Sequence, residues 1–300
     1  LGSTSAYVVH GSDGLDEITG FARLMRRKVA KIKAPEGMLV DTCGTGGDKS
    51  GSFNISTAAA FVAAGAGVRV AKHGNRSVSS KCGSADVLAA LGVNIMAPLP
   101  AVEMALEKVG IAFFFAPLFH PAMKHAIGPR REIGIRTVFN ILGPLSNPVG
   151  AQAQVLGVYD EALTETMAEV LGQLGSTSAY VVHGSDGLDE ITLTGKTKIS
   201  ALANGKVKTF HVAPKDVGLK ACKSGDLKGG SAGENAAAMR QVLEGAKGPL
   251  RDVTLLNAAA SLVVAGLVKD LKEGVGLAAK SVDSGAALGK LDDLVKATAG

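Results

Sequence analysis

Residues 38–57 read MLVDTCGTGGDKSGSFNIST: a short apolar run, a loop carrying Gly44, Gly46 and Gly47, then the opening of an apolar helix-like stretch. A strand, a glycine-rich turn and a helix N-terminus in that order restrict the fold more than any other segment of the chain. Glycines let the backbone turn sharply and approach an anion with no Cβ in the way. The start of a helix adds free N–H groups and the positive end of its dipole. Such loops lie at the carboxyl ends of strands in open α/β sheets. Two better-known phosphate loops do not fit. A Walker A loop needs Gly-Lys-Ser/Thr, and here Lys49 follows Asp48; the dinucleotide fingerprint needs a third Gly where Lys49 stands. Taken alone, the loop also fits a glycine-rich turn at a sheet edge with no ligand.

The alternation continues along the chain. Strands are expected at 38–41, 68–71, 111–115, 154–159 and 179–183, and helices at 20–34, 56–66, 101–109 and 161–174. Ser84 reads as an N-cap with Asp86 in the first turn of a helix that Gly92 ends. Alternating strands and helices predict a parallel sheet with helices on both faces. Residues 193–213 alternate as short antiparallel strands, and the chain is helical from Asn235 onward, with a last helix near 284–297. The fold class is α/β: a large lobe with a mainly parallel sheet flanked by helices, plus a small helical lobe. No polar linker separates independent units. The small lobe is assigned to 20–36 and about 100–140, and the α/β lobe to 37–99 and 141–300.

Composition narrows the function classes. With 300 residues, 46% hydrophobic and 20% charged, the chain has enough apolar material for a sizeable core. Its net charge of +5 suits an anionic substrate but is too small and too evenly spread for nucleic acid. No uncharged apolar stretch of about 18 residues appears, so no membrane span is expected. Cys43, Cys82 and Cys222 lack metal spacing and read as reduced thiols of a cytoplasmic protein. The chain opens at Leu1 with no Met and no signal-like region, which implies that something upstream is missing or was removed.

Residues 1–19 and 174–192 are identical at all 19 positions, LGSTSAYVVHGSDGLDEIT. Solenoid repeats are similar rather than identical and recur at a fixed period; this segment occurs twice with unrelated residues after each copy. It reads as a recent duplication or an assembly artefact. Asp16 and Glu17 in the first copy have no glycine loop beside them in sequence and are not counted as a site.

Four clusters carry chemistry. The glycine loop is the first. The second, KHGNRSVSSKCGSADVL at 72–88, places Lys72 and Arg76 as cations, Asn75 as a two-way hydrogen bonder and several hydroxyls at a strand's end, an inventory that suits a phosphate or diphosphate. A solvated basic loop is the plainer reading, and His73 alone is more often structural. The third, Asp186-Gly187-Leu188-Asp189-Glu190, is an acidic turn after a strand; its carboxylates suit Mg²⁺ held through waters and substrate phosphates. The fourth, HPAMKHAIGPRREIGIRTVFNILGPLSNP at 120–148, carries Arg130, Arg131 and Arg136, and an Arg fork grips a carboxylate.

GTGGD…FNIST, KHGNRSVSS…GSADVL, HPAMKH…RREIG…FNILGPLSNP and DGLDE, in that order, resemble the anthranilate phosphoribosyltransferases of tryptophan biosynthesis. The likeness covers residues 20–300, including GGSAGENA at 229–236 and LKEGVGLA at 271–278. It implies transfer of the phosphoribosyl group of 5-phosphoribosyl 1-diphosphate to the amine of anthranilate. The donor would be held by Gly44, Gly47, Asp48, Ser52, Asn54, Ile55, Ser56 and Thr57, by Lys72, His73, Gly74, Asn75, Arg76, Ser77, Val78, Ser79 and Ser80, and by Ser84. Ser52 stands where the family usually has Thr. Gly44, Asn75 and Arg130 would hold anthranilate, Arg130 through the carboxylate. Ser56, Asp189 and Glu190 would hold Mg²⁺. No general base is assigned, because a neutral aromatic amine needs none. The resemblance also implies a homodimer. Family members carry more helix before Gly20, so the different residues 1–19 bear on dimerisation. Two other readings stay open: a nucleoside phosphorylase-like enzyme of the same fold, and a non-enzymatic or inactive chain with an altered N-terminus.

Overall fold

A computed structural model describes residues 14–30, 32–48, 50–77, 81–133 and 137–299, and at 122, 127, 129–131 and 133 the backbone alone. The expected strands pair into one seven-stranded sheet. β1 (Leu39–Gly44), β2 (Arg69–Gly74), β3 (Ile111–Phe115), β4 (Ala153–Gly157) and β5 (Ser178–Gly184) are parallel. β6 (Thr197–Ala203) and β7 (Lys206–Val212) add an antiparallel hairpin. Asn204 and Gly205, both at positive φ, turn it, as the tight Asn-Gly hairpin requires. The order across the sheet is β3-β2-β1-β4-β5-β6-β7. The chain therefore travels outward from β1 to β3 and returns to lay β4 on the other side of β1. The crevice above β1 and β4 is the switch point where sheets of this kind bind ligands.

The helices, in chain order, are α1 (Leu15–Arg27), α2 (Ile55–Gly65), α3 (Ser84–Ala90), α4 (Leu99–Met104), α5 (Ala116–Phe119), α6 (Lys124–Ile133), α7 (Phe139–Leu142), α8 (Leu163–Gln173), α9 (Ala232–Leu243), α10 (Pro249–Val264), α11 (Leu271–Asp283) and α12 (Ala286–Thr298). The alternation of apolar side chains along β4 divides them between two layers. Ala153 and Val155 join α2, α10, α11 and α12 in the larger core. Leu156 and Val158 join α1, α7 and α8 in the smaller one. Helix α2 is apolar all round, with nine of its eleven residues buried, as befits a helix enclosed by other helices as well as the sheet.

Several boundaries differ from expectation. β2 runs on to Gly74, so Lys72 and His73 are strand residues rather than loop. Ser84 is not the N-cap of α3. Gly83 holds that position, and Asp86 reaches back to accept its N–H at 2.9 Å. After α4 the chain widens into a π-helical turn, Ala105–Val109, before β3. Within the stretch 100–140, β3 is the edge strand of the sheet, and Val102, Ala105 and Leu106 pack into the larger core.

The basic helix expected from Gly20 begins at Leu15, inside the copied segment, and ends at Arg27. Arg23 donates to the carbonyl of Gln173, and Arg26 to those of Leu174 and Leu145, which ties α1 to the C-terminus of α8 where unpaired carbonyls favour cations. Residues 1–13 lie outside the described part.

Candidate active site

Gly44 and Gly157, the last residues of β1 and β4, are directly paired. Asp189 lies across both. A Cβ on Gly157 would stand 1.6 Å from the Asp189 carbonyl oxygen, and one on Gly44 2.3 Å from its Oδ2. No other residue type fits either position without moving the acidic turn. The loops after the two strands are stitched together. Thr45 N–H donates to Gly157 O at 2.9 Å, and Tyr159 N–H donates to Thr45 Oγ1 at 3.1 Å.

The acidic turn and the glycine loop form one unit. Gly46 N–H donates to Asp189 Oδ2 at 2.8 Å, and Ser56 N–H, at the start of α2, donates to Glu190 Oε1 at 3.2 Å. The Asp48 carboxyl is close enough to Asp189 to act on its charge. Burial, and then the Asp48 carboxylate, raise the Asp189 carboxyl; burial and Asp189 itself raise Glu190, against the pull of Lys72. Two adjacent carboxyls of high proton affinity, only one of them, Glu190, drawn on by the Lys72 ammonium, form a donor set that a divalent cation would suit. Among the described residues, no group of three or more His, Cys, Asp or Glu is arranged to hold a metal unaided. A cation here would complete its shell with other oxygens, as Mg²⁺ commonly does with waters and phosphates.

Lys72 is 3% exposed. Its Nζ donates to Thr42 O and lies 3.3 Å from Ser56 Oγ. Burial lowers its pKa while Asp41, Cys43 and Glu190 pull it back up. Its positive charge is shared between Asp41 on β1 and Glu190 of the acidic pair. Thr57 is buried, its hydroxyl has no hydrogen-bond partner among the described residues, and with Lys72, Phe61 and Phe113 it lines a small apolar void.

The second cluster is organised by Asp86. Its carboxylate accepts Ser77 N–H at 3.1 Å and Gly83 N–H at 2.9 Å, and pairs with Arg76 at 2.7 Å. Burial would raise this carboxyl, and the three donors outweigh it and leave it below the ordinary value. Arg76 also stands over the Phe115 ring. Asn75 Oδ1 accepts Arg76 N–H, and Ser84 Oγ donates to Asn75 O. Val78, Ser79 and Ser80 lie outside the described residues, as does Lys49 between Asp48 and Ser50. Arg130 is on α6; its side chain, like that of Arg131, is not among those described, and Arg136 lies outside.

A buried network missed by sequence reading joins these parts. On β1, Asp41 accepts His73 N–H at 3.1 Å and Asn147 Nδ2 at 2.8 Å, and Asn147 also donates to Ala71 O. His73 Nε2 meets His120 Nε2 at 3.2 Å. Burial, the second imidazole and Lys72 push the His73 pKa down to about 3. Asn147 belongs to the LSNP run and His120 opens HPAMKH, so their motifs were visible in the sequence; their mutual contacts were not. The network fastens the end of β2 to the chain on either side of α6.

The match to known proteins agrees with this geometry. Residues 36–288 match the family model described as "Glycosyl transferase family, a/b domain". The anthranilate phosphoribosyltransferase of Moorella thermoacetica is 60% identical over 281 residues, which cover 94% of this chain and 83% of that protein. The crystal structure of anthranilate phosphoribosyltransferase from Thermus thermophilus superposes with a TM-score of 0.90 at 45% identity, over 95% of this chain and 85% of that one. The Saccharomyces cerevisiae enzyme in complex with PRPP and Mg superposes with a TM-score of 0.87 at 31% identity, over 95% of this chain and 80% of that one.

Proposed function

The chain belongs to the anthranilate phosphoribosyltransferase family and is a glycosyltransferase that moves the phosphoribosyl group of 5-phosphoribosyl 1-diphosphate to the amine of anthranilate; we propose that the crevice above β1 and β4 is where it does so. The observation that carries this reading is the pairing of two loop amides, Gly46 and Ser56, with two carboxylates more than a hundred residues away, Asp189 and Glu190. Anion cradle and acidic pair are thereby one site. The relatives' names favour this activity over the nucleoside phosphorylase alternative.

The donor's diphosphate lies against Gly44, Gly47, Asp48 and the first turn of α2, with Ser52, Asn54, Ile55, Ser56 and Thr57 completing the loop side. Lys72, His73, Gly74 and the run 75–80, with Ser84, close over it. Thr57, Lys72 and His73 are buried and act from beneath, through the backbone and the local field. Asp189, Glu190 and Ser56 hold Mg²⁺, which when bound neutralises charge on the leaving diphosphate. Gly44, Asn75 and Arg130 hold anthranilate, Arg130 by pairing with the carboxylate.

The aromatic amine attacks C1′ as the bond to diphosphate breaks, and the N-protonated product, a strong acid, passes its surplus proton to solvent. The chain's task is to align the two and to stabilise the leaving charge with N–H groups preset by the glycine loop. The segments 20–36 and about 100–140, apart from the sheet strand β3, form the acceptor-side lobe, and 37–99 with 141–300 the donor-side lobe. We assign the chain to the cytoplasm as a homodimer, on the family resemblance; all three cysteines are free, as a reducing compartment requires.

Loss of anthranilate fluorescence in the presence of donor and Mg²⁺, with no turnover of a pyrimidine nucleoside and phosphate, is the expected result. Arg130→Ala raises the anthranilate KM by about tenfold or more, the worth of a charge-assisted pair, and leaves the donor KM within about twofold. Equal rises in both would remove Arg130 from the acceptor site.

A further inference from the structure

The half of the glycine loop from Ser50 to Asn54 has a few short-range bonds of its own, Ser50 N–H to Asp48 Oδ1 and Ser52 N–H to Ser50 Oγ, and is held further from outside. Its backbone is matched by a strap from the far end of the chain, residues 227–235. Ser52 and Lys228 form an isolated antiparallel bridge. Phe53 N–H donates to Leu227 O and Gly229 N–H to Gly51 O, both at 2.9 Å, and Lys228 Nζ reaches Ser50 O at 2.6 Å. The strap ends in α9, whose N-terminus is locked by Ser231 and Glu234 capping each other.

Asn235, in the first turn of α9, is 2% exposed. Its Oδ1 accepts Gly230 N–H at 2.7 Å, and its Nδ2 donates to Asn54 Oδ1 at 2.8 Å. Asn54 stands at the N-cap position of α2 yet makes no side-chain capping bond. Its Nδ2 instead donates to Cys82 O at 3.3 Å. Asn235 thus decides which way the Asn54 amide faces: with its oxygen taken by Asn235, only its NH₂ is left for the carbonyl beside Gly83. One side chain in the strap orients the hinge between the glycine loop and the second loop.

We infer that the strap 227–235 is a splint that presets the donor loop, and that Asn235 is a positioning residue acting through Asn54. The inference rests on the reading of 44–57 as the donor site. A loop that must order itself on binding gives up affinity in doing so, so the splint acts on donor binding and leaves the acceptor alone.

The test compares Asn235→Ala, Lys228→Met, Asn54→Ala and the double variant Asn54→Ala/Asn235→Ala. It reads KM for each substrate, and donor binding by calorimetry with Mg²⁺ and no anthranilate. Asn235→Ala is expected to raise the donor KM and Kd about tenfold, the scale of one lost buried hydrogen bond with its partner stranded, with the anthranilate KM unchanged. Lys228→Met, a surface change with no core to disturb, moves the same constants in the same direction by a smaller factor. The double variant falls short of the product of the two single effects, because both lose the Asn54–Asn235 contact and only the Gly230 N–H that Asn235 also holds is lost in addition.

Donor constants unchanged in both Asn235→Ala and Lys228→Met, with only the melting temperature lowered, overturn the inference. So do effects of Asn54→Ala and Asn235→Ala that simply multiply. If Asn54→Ala itself leaves donor binding untouched, the donor-site reading fails and the inference with it. If Asn54→Ala weakens the donor and Asn235→Ala does not, the inference alone fails.

Discussion

His73 shows how far a side chain's chemistry depends on its surroundings. In sequence it stands in a basic loop; in the fold it is a buried strand residue whose Nε2 faces another imidazole. With a pKa of about 3 against an ordinary 6.5, it stays neutral in the folded protein while the unfolded chain takes up a proton. Its contribution to stability is therefore complete above pH 6.5 and is lost as the pH falls from there toward 3, at roughly 1.4 kcal/mol per pH unit. Asp189 and Glu190, raised rather than lowered, tilt the balance the other way, so the informative quantity is a difference. Urea unfolding at pH 7.5 and pH 5 should show His73→Asn losing about 2 kcal/mol less than the parent across that interval. Identical pH slopes would mean that His73 is protonated in the fold. Gly44, Asp48 and the acidic pair were legible because each sits in a motif of its own. Asp41 and Asn147 were not, because an internal carboxylate and its amide partner 106 residues later carry no local pattern.

Strand and helix types were read from alternation and apolar runs, and the errors lie at ends where polar residues are buried. β2 was cut short at Ala71 because Lys72 and His73 look like loop residues; Asp41, Thr42 and Asn147 give those side chains and their backbone a place inside. α3 was given a serine cap, but Asp86 serves Gly83 and Ser77 together, and a glycine at the cap leaves room that a serine would fill. The register of β1 against β4 has the sharpest consequence. Because Gly157 faces the Asp189 backbone, Gly157→Ala must displace the acidic turn. It should cost about 1–3 kcal/mol in urea unfolding, the usual penalty for overpacking, and weaken donor binding as well. Gly276→Ala, exposed within α11 with nothing within 4 Å, is the control that should do neither.

The sheet order brings together segments that local sequence leaves scattered. The returning β4 puts Gly157 beside Gly44, β5 delivers the acidic turn onto the glycine loop, and the start of α9 closes behind it. The fold sets two neighbouring carboxyls beside the glycine loop, the charge on one raising the cost of ionising the other, an arrangement that a bound cation relieves. Donor and Mg²⁺ together should therefore raise the melting temperature by more than the two separate shifts combined. Saturation near a hundred times Kd corresponds to about 2.7 kcal/mol. Asp189→Asn with Glu190→Gln should abolish the share that depends on the metal while leaving the donor's own share. A metal contribution unchanged in that double variant would place the cation elsewhere.

The copied segment separates local from global control. Leu-Asp-Glu-Ile-Thr occurs at 15–19 and again at 188–192. The first copy is the opening of α1, with Asp16 and Glu17 in its first turn and Ile18 and Thr19 buried. The second is an irregular turn whose two carboxylates are fastened to Gly46 and Ser56. By itself the sequence determined the α/β class, the anion loop, the family and the order of the strands along the chain. These follow from side-chain period, glycine placement and motif spacing, all of which are local. Which copy of the acidic pair belongs to the site was decided by the sheet: only after β5 does the chain emerge where two amide N–H groups stand ready to receive the carboxylates.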